Sequence, residues 1–305
     1  MKSKLYVIGN GFDLAHKIPS TFNPDFKNIA LKYESGYPCF WDLYQTANED
    51  IWSDFENLLG RPDFNILEEI FEGYAPDYLS DRESDRDDII NQVSINGNLK
   101  EAVSEFASKA DAYLENVNRL EFFEKFLDAS GYYISFNYTH TLENVYNIPE
   151  KQVLHIHGEV GKNNLELGFS AGDFKPEKYK YDVRQKGKGP YAILDIDDYV
   201  NQIEDHYIAT AYRELINKCK TFSKPIKVEL LIDFLNQNHI EVETIIVYGH
   251  SCAIDFEYFN FLNKQFPNAN WDFFVRGEKQ ERDVQKLVDK ERIMNSHIYS
   301  VETMK

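Results

Sequence analysis

The chain has 305 residues, 43% of them hydrophobic and 15% aromatic, enough to bury a sizeable core in one large α/β domain or two lobes. Its net charge of −18 repels phosphate backbones and excludes general binding of DNA or RNA. The three cysteines, Cys39, Cys219 and Cys252, form no Cys-x-x-Cys pair, so no zinc ribbon is encoded, and no apolar stretch approaches the roughly 20 residues of a membrane span; a cytoplasmic protein away from the membrane is expected.

The first β-type run, Leu5-Tyr6-Val7-Ile8, ends in Gly9-Asn10-Gly11-Phe12-Asp13. A strand ending in Gly-x-Gly either makes a tight turn and nothing more, or brings its amides near a pyrophosphate. The third glycine of the dinucleotide fingerprint is missing and no P-loop pattern occurs, so this is neither ordinary motif. In Ile18-Pro19-Ser20-Thr21-Phe22, Pro19 stiffens a loop, and Ser20 or Thr21 either caps a helix or helps cover a ligand. Helical spacing of apolar residues follows over Ile51 to Leu59 and Phe64 to Tyr74. The charge run Asp81 to Asp88 reads as a solvated loop or helix start. Leu99 to Leu127 reads as one long helix or two in sequence, with Gly131 placed as a C-terminal stop.

A second β-type run, Tyr132 to Ser135, ends in Phe136-Asn137-Tyr138-Thr139. The Asn137 amide both donates and accepts, so it either holds a hydroxyl and a water together or caps a helix over Thr141 to Tyr146 as an Asx-turn residue. Val153-Leu154 leads into His155-Ile156-His157-Gly158. On an extended strand the two histidines face the same side, but two imidazoles are not a complete metal site, and no metal is expected. His157 reads as a functional imidazole for acid or base work, with Gly158 leaving room for a ligand at the backbone, and His155 as structural. An insertion follows, with irregular Asp173 to Pro190 as a lid candidate and helices over Asp197 to Lys220 and Ile226 to Asn238.

The α/β pattern then returns. Strand Ile245 to Tyr248 ends in Gly249-His250-Ser251, and Asp255 either caps the next helix, Phe256 to Phe266, or binds a ribose hydroxyl. Strand Trp271 to Val275, helix Lys279 to Ile293 and strand Ile298 to Val301 complete the series. Four polar or Gly-rich clusters, each at the end of a β-type run, predict one ligand beyond the carboxyl edge of a single sheet. The expected architecture is a single α/β nucleotide-binding domain over 1–305, with a mostly parallel sheet and helical insertions at about 39–130 and 170–240.

Gly9-Asn10-Gly11-Phe12-Asp13 with Ile18-Pro19-Ser20-Thr21, Trp52-Ser53-Asp54-Phe55-Glu56, Phe136-Asn137-Tyr138-Thr139, His157-Gly158 and Gly249-His250-Ser251 with Asp255 resemble, in that order, the AbiH-type bacteriophage abortive-infection proteins. More remotely, the order is similar to the sirtuin-like, Rossmann-like NAD-binding fold. That resemblance implies an antiphage protein that hydrolyses the nicotinamide–ribose bond of NAD, with NAD as substrate. It makes Asn137 and His157 catalytic; Asp13 departs from the small hydroxyl residue common there, and for such a hydrolysis it is expected to stabilise positive charge on the ribose. The resemblance brings Gly9, Asn10, Gly11, Phe12, Thr21, Tyr138, Gly158, Gly249, His250, Ser251 and Asp255 to the nucleotide. The four-cysteine zinc module of sirtuin deacylases is absent, so protein deacylation is not expected. The alternatives are a non-catalytic nucleotide-binding sensor or assembly module, and a metal-dependent nuclease using His155, His157 and carboxylates. A homo-oligomer or a phage-encoded trigger is a further expected partner.

Overall fold

The computed structural model describes residues 3–33, 40–44, 50–67, 99–170, 172–176, 179–181 and 192–303. The Asp81 to Asp88 charge run, the expected helix beyond Leu67 and most of the Asp173 to Pro190 lid candidate lie outside these residues. Ten strands occur among the described residues: β1 (Ser3–Ile8), β2 (Tyr132–Ser135), β3 (Val153–His155), β4 (Phe169–Ser170), β5 (Tyr179–Tyr181), β6 (Ala192–Leu194), β7 (Ser223–Lys224), β8 (Val242–Tyr248), β9 (Asn270–Val275) and β10 (Ser296–Ser300). The chain forms two compact units. One comprises Met1–Thr21, Lys100–Glu166 and Pro225–Lys305; the other comprises Phe22–Leu99 and Leu167–Lys224.

The first unit holds a six-stranded sheet in the order β10-β9-β8-β1-β2-β3, with every pairing parallel. Counted along the chain within this sheet, the order is 3-2-1-4-5-6. That is a doubly wound α/β arrangement whose winding reverses between β1 and β8, where such sheets open a crevice. Strand pleat explains why the apolar runs are continuous. Leu5, Val7, Ile245 and Val247 point to one face, while Tyr6, Ile8, Ile246 and Tyr248 point to the other. Helices Val228–Gln237, Phe256–Gln265 and Gly277–Glu291 supply Leu231, Phe259 and Leu287 to the first face. The second face is aromatic: Tyr6 stacks on Tyr133 at 4.8 Å, and Phe123 meets Phe12 edge-on at 4.7 Å.

For Leu99 to Leu127 the alternative of two helices in sequence holds, whereas the expected helix over Asp197 to Lys220 is two helices, Ile196–Val200 and His206–Lys220, and Gly131 is not a helix stop. The Leu99 to Leu127 stretch divides into helix Leu99–Ala112, a tighter turn Tyr113–Asn116, and helix Glu121–Phe126. Val117 and Leu120 are extended there, which ends the first helix well before Gly131. Gly131 serves packing instead, because a Cβ on it meets the Tyr6 ring at 2.9 Å.

In the second unit β4 pairs parallel with β7, and β5 pairs antiparallel with β6. Its core includes Phe26, Trp41, Trp52 and Phe55, with Trp52 stacked on Phe55 at 5.4 Å. Lys224, buried on β7, is paired with Glu56 of helix Phe55–Leu59 at 2.9 Å.

Candidate functional site

The two loops at the reversal point lock backbone against backbone. Gly9 N–H donates to Tyr248 O and Gly11 N–H to Gly249 O, at 2.9 and 2.8 Å. A Cβ on Gly9 falls 2.6 Å from His250 Cα, and one on Gly11 falls 2.5 Å from Gly249 Cα. Gly249 has a φ of +70°, and its own Cβ would sit 2.6 Å from Phe12 N. The three glycines therefore serve this loop-to-loop contact. The amides of Gly9, Gly11 and Phe12 are all engaged within it. Asn10 is locked as well: its Nδ2 donates to Ser20 O and its Oδ1 accepts from Ser20 Oγ, both at 2.7 Å. Ser20 thus pins the first loop rather than capping a helix, and the adjoining Thr21 is partly buried. Phe12, expected at the ligand, has its ring wholly inside the second-face core.

Asp13 follows on the short helix Gly11–Ala15 and is 1% exposed. Thr139 Oγ1 donates to its Oδ2 at 2.6 Å, and Thr141 Oγ1 to its Oδ1 at 2.8 Å. Burial pushes the Asp13 carboxyl up to about 6, against the lowering effect of hydrogen bonds from Thr139, Thr141 and the Asn137 side chain. Asn137 sits just past β2, with its backbone N–H donating to Ser135 Oγ at 3.2 Å. Its amide is committed to Asp13 and leaves Oδ1 buried with no hydrogen-bond partner among the described residues. A cap on the Thr141–Val145 turn is not formed, because no side chain bonds there.

His155 and His157 part company. β3 ends at His155, so the two rings do not share a strand face. His155 Nδ1 faces Asn137 O and its Nε2 faces Glu143 Oε1, both at 2.9 Å. His157 Nε2 lies 3.4 Å from Asp255 Oδ2, and His250 Nε2 lies 3.7 Å from the same oxygen. The Phe136 ring meets both imidazoles edge-on, at 5.2 and 4.4 Å. The backbone space beside Gly158 (φ +88°) is filled, since a Cβ there would be 2.2 Å from Asn164 O. Tyr138 donates its hydroxyl to Glu166 O at 2.7 Å, while exposed Ser251 Oγ accepts from Ala253 N–H at 3.4 Å.

The family model for bacteriophage abortive infection AbiH matches residues 5–275. The chain belongs to the AbiH family. No curated protein and no solved structure matches it. Antiphage abortive infection is thus the family's setting, and the sirtuin-like likeness rests on motif order alone. All four strand-end clusters of this AbiH chain fall inside the matched region, whereas β10 lies beyond it.

One neighbouring group was not singled out in the sequence. His140 Nδ1 faces Asp111 at 3.2 Å and its Nε2 faces Glu159 at 3.1 Å, with the His155 ring 5.6 Å away. The hydrogen bond with Asp111 leads the influences that raise His140 to about 9, against burial. Burial opposes the charge on His155, but Glu143 outweighs it and the pKa rises. The only signal for this group is His140 next to the Asn137 cluster, because its carboxylates come from segments without a motif. Among the described residues of this AbiH protein, no three His, Cys, Asp or Glu side chains are arranged to hold a metal ion, and no helix is long and apolar enough to cross a membrane.

Proposed function

We propose that this AbiH protein acts in abortive infection by hydrolysing the nicotinamide–ribose bond of NAD. The observation that carries the reading is the Asn137 amide. Asp13 holds its nitrogen end, and its Oδ1 is a buried acceptor with no partner among the described residues, at the carboxyl end of a doubly wound sheet. A buried acceptor of this kind costs about 1–3 kcal/mol when left unmade. A water or a ribose hydroxyl relieves that cost by donating to it.

Cleavage builds an oxocarbenium-like ribose, and one water must reach it. Asn137 orients that water or the ribose hydroxyl, and His157 takes the proton as water becomes the new ribose hydroxyl, with nicotinamide leaving. General-base help of this kind is worth about 10²–10⁴-fold. Both Asp13 oxygens are occupied by Thr139 and Thr141, so Asp13 acts by orienting Asn137 rather than by touching the ribose. Asn137 is 7% and His157 5% exposed, so substrate access requires the loops after β2 and β3 to move. That coverage also favours the second reading, a nucleotide-binding module without turnover. The metal-dependent nuclease needs His155 and His157 as a pair, and they face different partners.

The test incubates purified protein with NAD, NADP and ATP, with and without extract of phage-infected cells, and separates the products by chromatography. Nicotinamide and ADP-ribose are expected from the wild type, with Asn137→Ala and His157→Ala at least ~10²-fold slower while their melting transitions persist. NAD that stabilises the protein yet is recovered intact in every arm establishes the non-catalytic reading instead.

A further inference from the structure

We infer that Asp255 is the positioning residue of His157, fixing its proton on Nε2 so that Nδ1 is the atom that accepts the proton. The inference rests on the reading of His157 as a base. Asp255 occupies the cap position of helix Phe256–Gln265, where an aspartate ordinarily bonds the first-turn amides and stabilises the helix. Here its side chain makes no capping hydrogen bond. The carboxylate, 4% exposed, turns instead to two imidazoles.

The backbone is held for that purpose. Asp255 has φ 63°, a left-handed conformation that disfavours a residue with a Cβ. Cys252 in the same loop also has a positive φ, 56°. Concentrated strain of this kind marks segments built to aim a side chain.

Hydrogen bonds set the protons. Cys252 N–H donates to His250 Nδ1 at 3.0 Å, so neutral His250 carries its proton on Nε2, toward Asp255. Gln280 Nε2 holds the same residue by donating to His250 O at 2.7 Å. The shorter approach to Asp255 is that of His157 Nε2, at 3.4 Å. A carboxylate only accepts, so the proton of neutral His157 lies on Nε2 and its lone pair on Nδ1. An imidazole oriented by a carboxylate is the general arrangement of an activated base. The Phe136 edge, and Tyr258 at 6.2 Å, limit rotation of the His157 ring.

The test uses ¹⁵N-histidine-labelled full-length protein and the variants Asp255→Gly and Asp255→Asn, both of which tolerate a left-handed backbone. Imidazole nitrogen shifts report the tautomer without any turnover. The wild type is expected to show His157 protonated on Nε2 alone, and Asp255→Gly to show a mixture of tautomers. With NAD, kcat is expected to fall at least ~10²-fold in Asp255→Gly and at least ~10-fold in Asp255→Asn, while KM stays within about threefold. A wild-type His157 protonated on Nδ1, or a folded Asp255→Gly with an unchanged tautomer, overturns the inference. If Asp255→Gly does not fold, Asp255→Asn decides, and undiminished kcat there overturns it too. NAD left intact by the wild type refutes the hydrolase reading but leaves the tautomer result standing, so the two failures are distinguishable.

Discussion

Asp13 places an acid that titrates near neutrality inside a folded core, and the sign of its effect on stability is unusual for an aspartate. Its folded-state pKa of about 6 lies above that of an exposed carboxyl, so the native state holds the proton more tightly than the unfolded chain. The stabilisation is full below about pH 4 and is lost as pH rises through 6, amounting to about 3 kcal/mol. Asp13→Asn removes that dependence. Denaturant unfolding of both proteins between pH 4 and 7.5 is expected to show the wild type losing stability relative to the variant by about that amount as pH rises. Parallel curves would refute the assignment. The residue type and its place after a glycine turn were legible in the sequence. The meeting of its loop with the Asn137–Thr139 cluster was legible too, but not the direct bonds, because a threonine more than a hundred residues away carries no sign of which carboxylate it will reach.

At the scale of elements, the strands of the six-stranded sheet were readable and their terminal loops only partly so, whereas the two- and three-residue strands β4 to β7 are too short to leave a pattern. Tyr132–Ser135 matches its apolar run, and β1, β8 and β9 extend theirs only at the amino end. Those extra residues are joined through backbone pairing, as in Ser3 with Val242, which side-chain pattern does not encode. The glycines at the strand ends were legible as turns, but not as the contact between two loops. A matched pair of substitutions isolates that contact. Gly249 and Gly277 have similar φ, +70° and +73°, yet a Cβ on Gly277 meets nothing within 4 Å. Gly277→Ala is expected to cost about 1–2 kcal/mol from the backbone alone. Gly249→Ala adds an overpacking cost of about 1–3 kcal/mol. Urea midpoints of the two variants measure the difference, and equal losses would remove the glycine lock from the account.

Over the whole molecule, what sequence pattern cannot announce is that residues 22–99 and 167–224 pack as one unit. The links that join the two segments include the Lys175 N–H donating to Gly60 O at 2.7 Å, the Phe40 ring edge-on to Phe222 at 5.1 Å, and the Glu56–Lys224 pair. Lys224 has a side chain only 3% exposed, whereas that of Glu56 is 18% exposed. Removing one partner of a buried pair costs about 3–5 kcal/mol, because the remaining charge is kept out of water, whereas replacing a buried charge by an apolar group of similar volume is often much less costly. The two positions therefore differ. Glu56→Ala, which keeps the buried ammonium, is expected to cost at least about twice what Lys224→Met costs. The molecule supplies its own reporters, since Trp41 and Trp52 belong to this unit and Trp271 to the sheet. In a Trp271→Phe background, fluorescence unfolding curves follow the second unit through its own indoles. Equal losses in the two variants would mean that side-chain volume rather than the buried charge holds β7 to helix Phe55–Leu59.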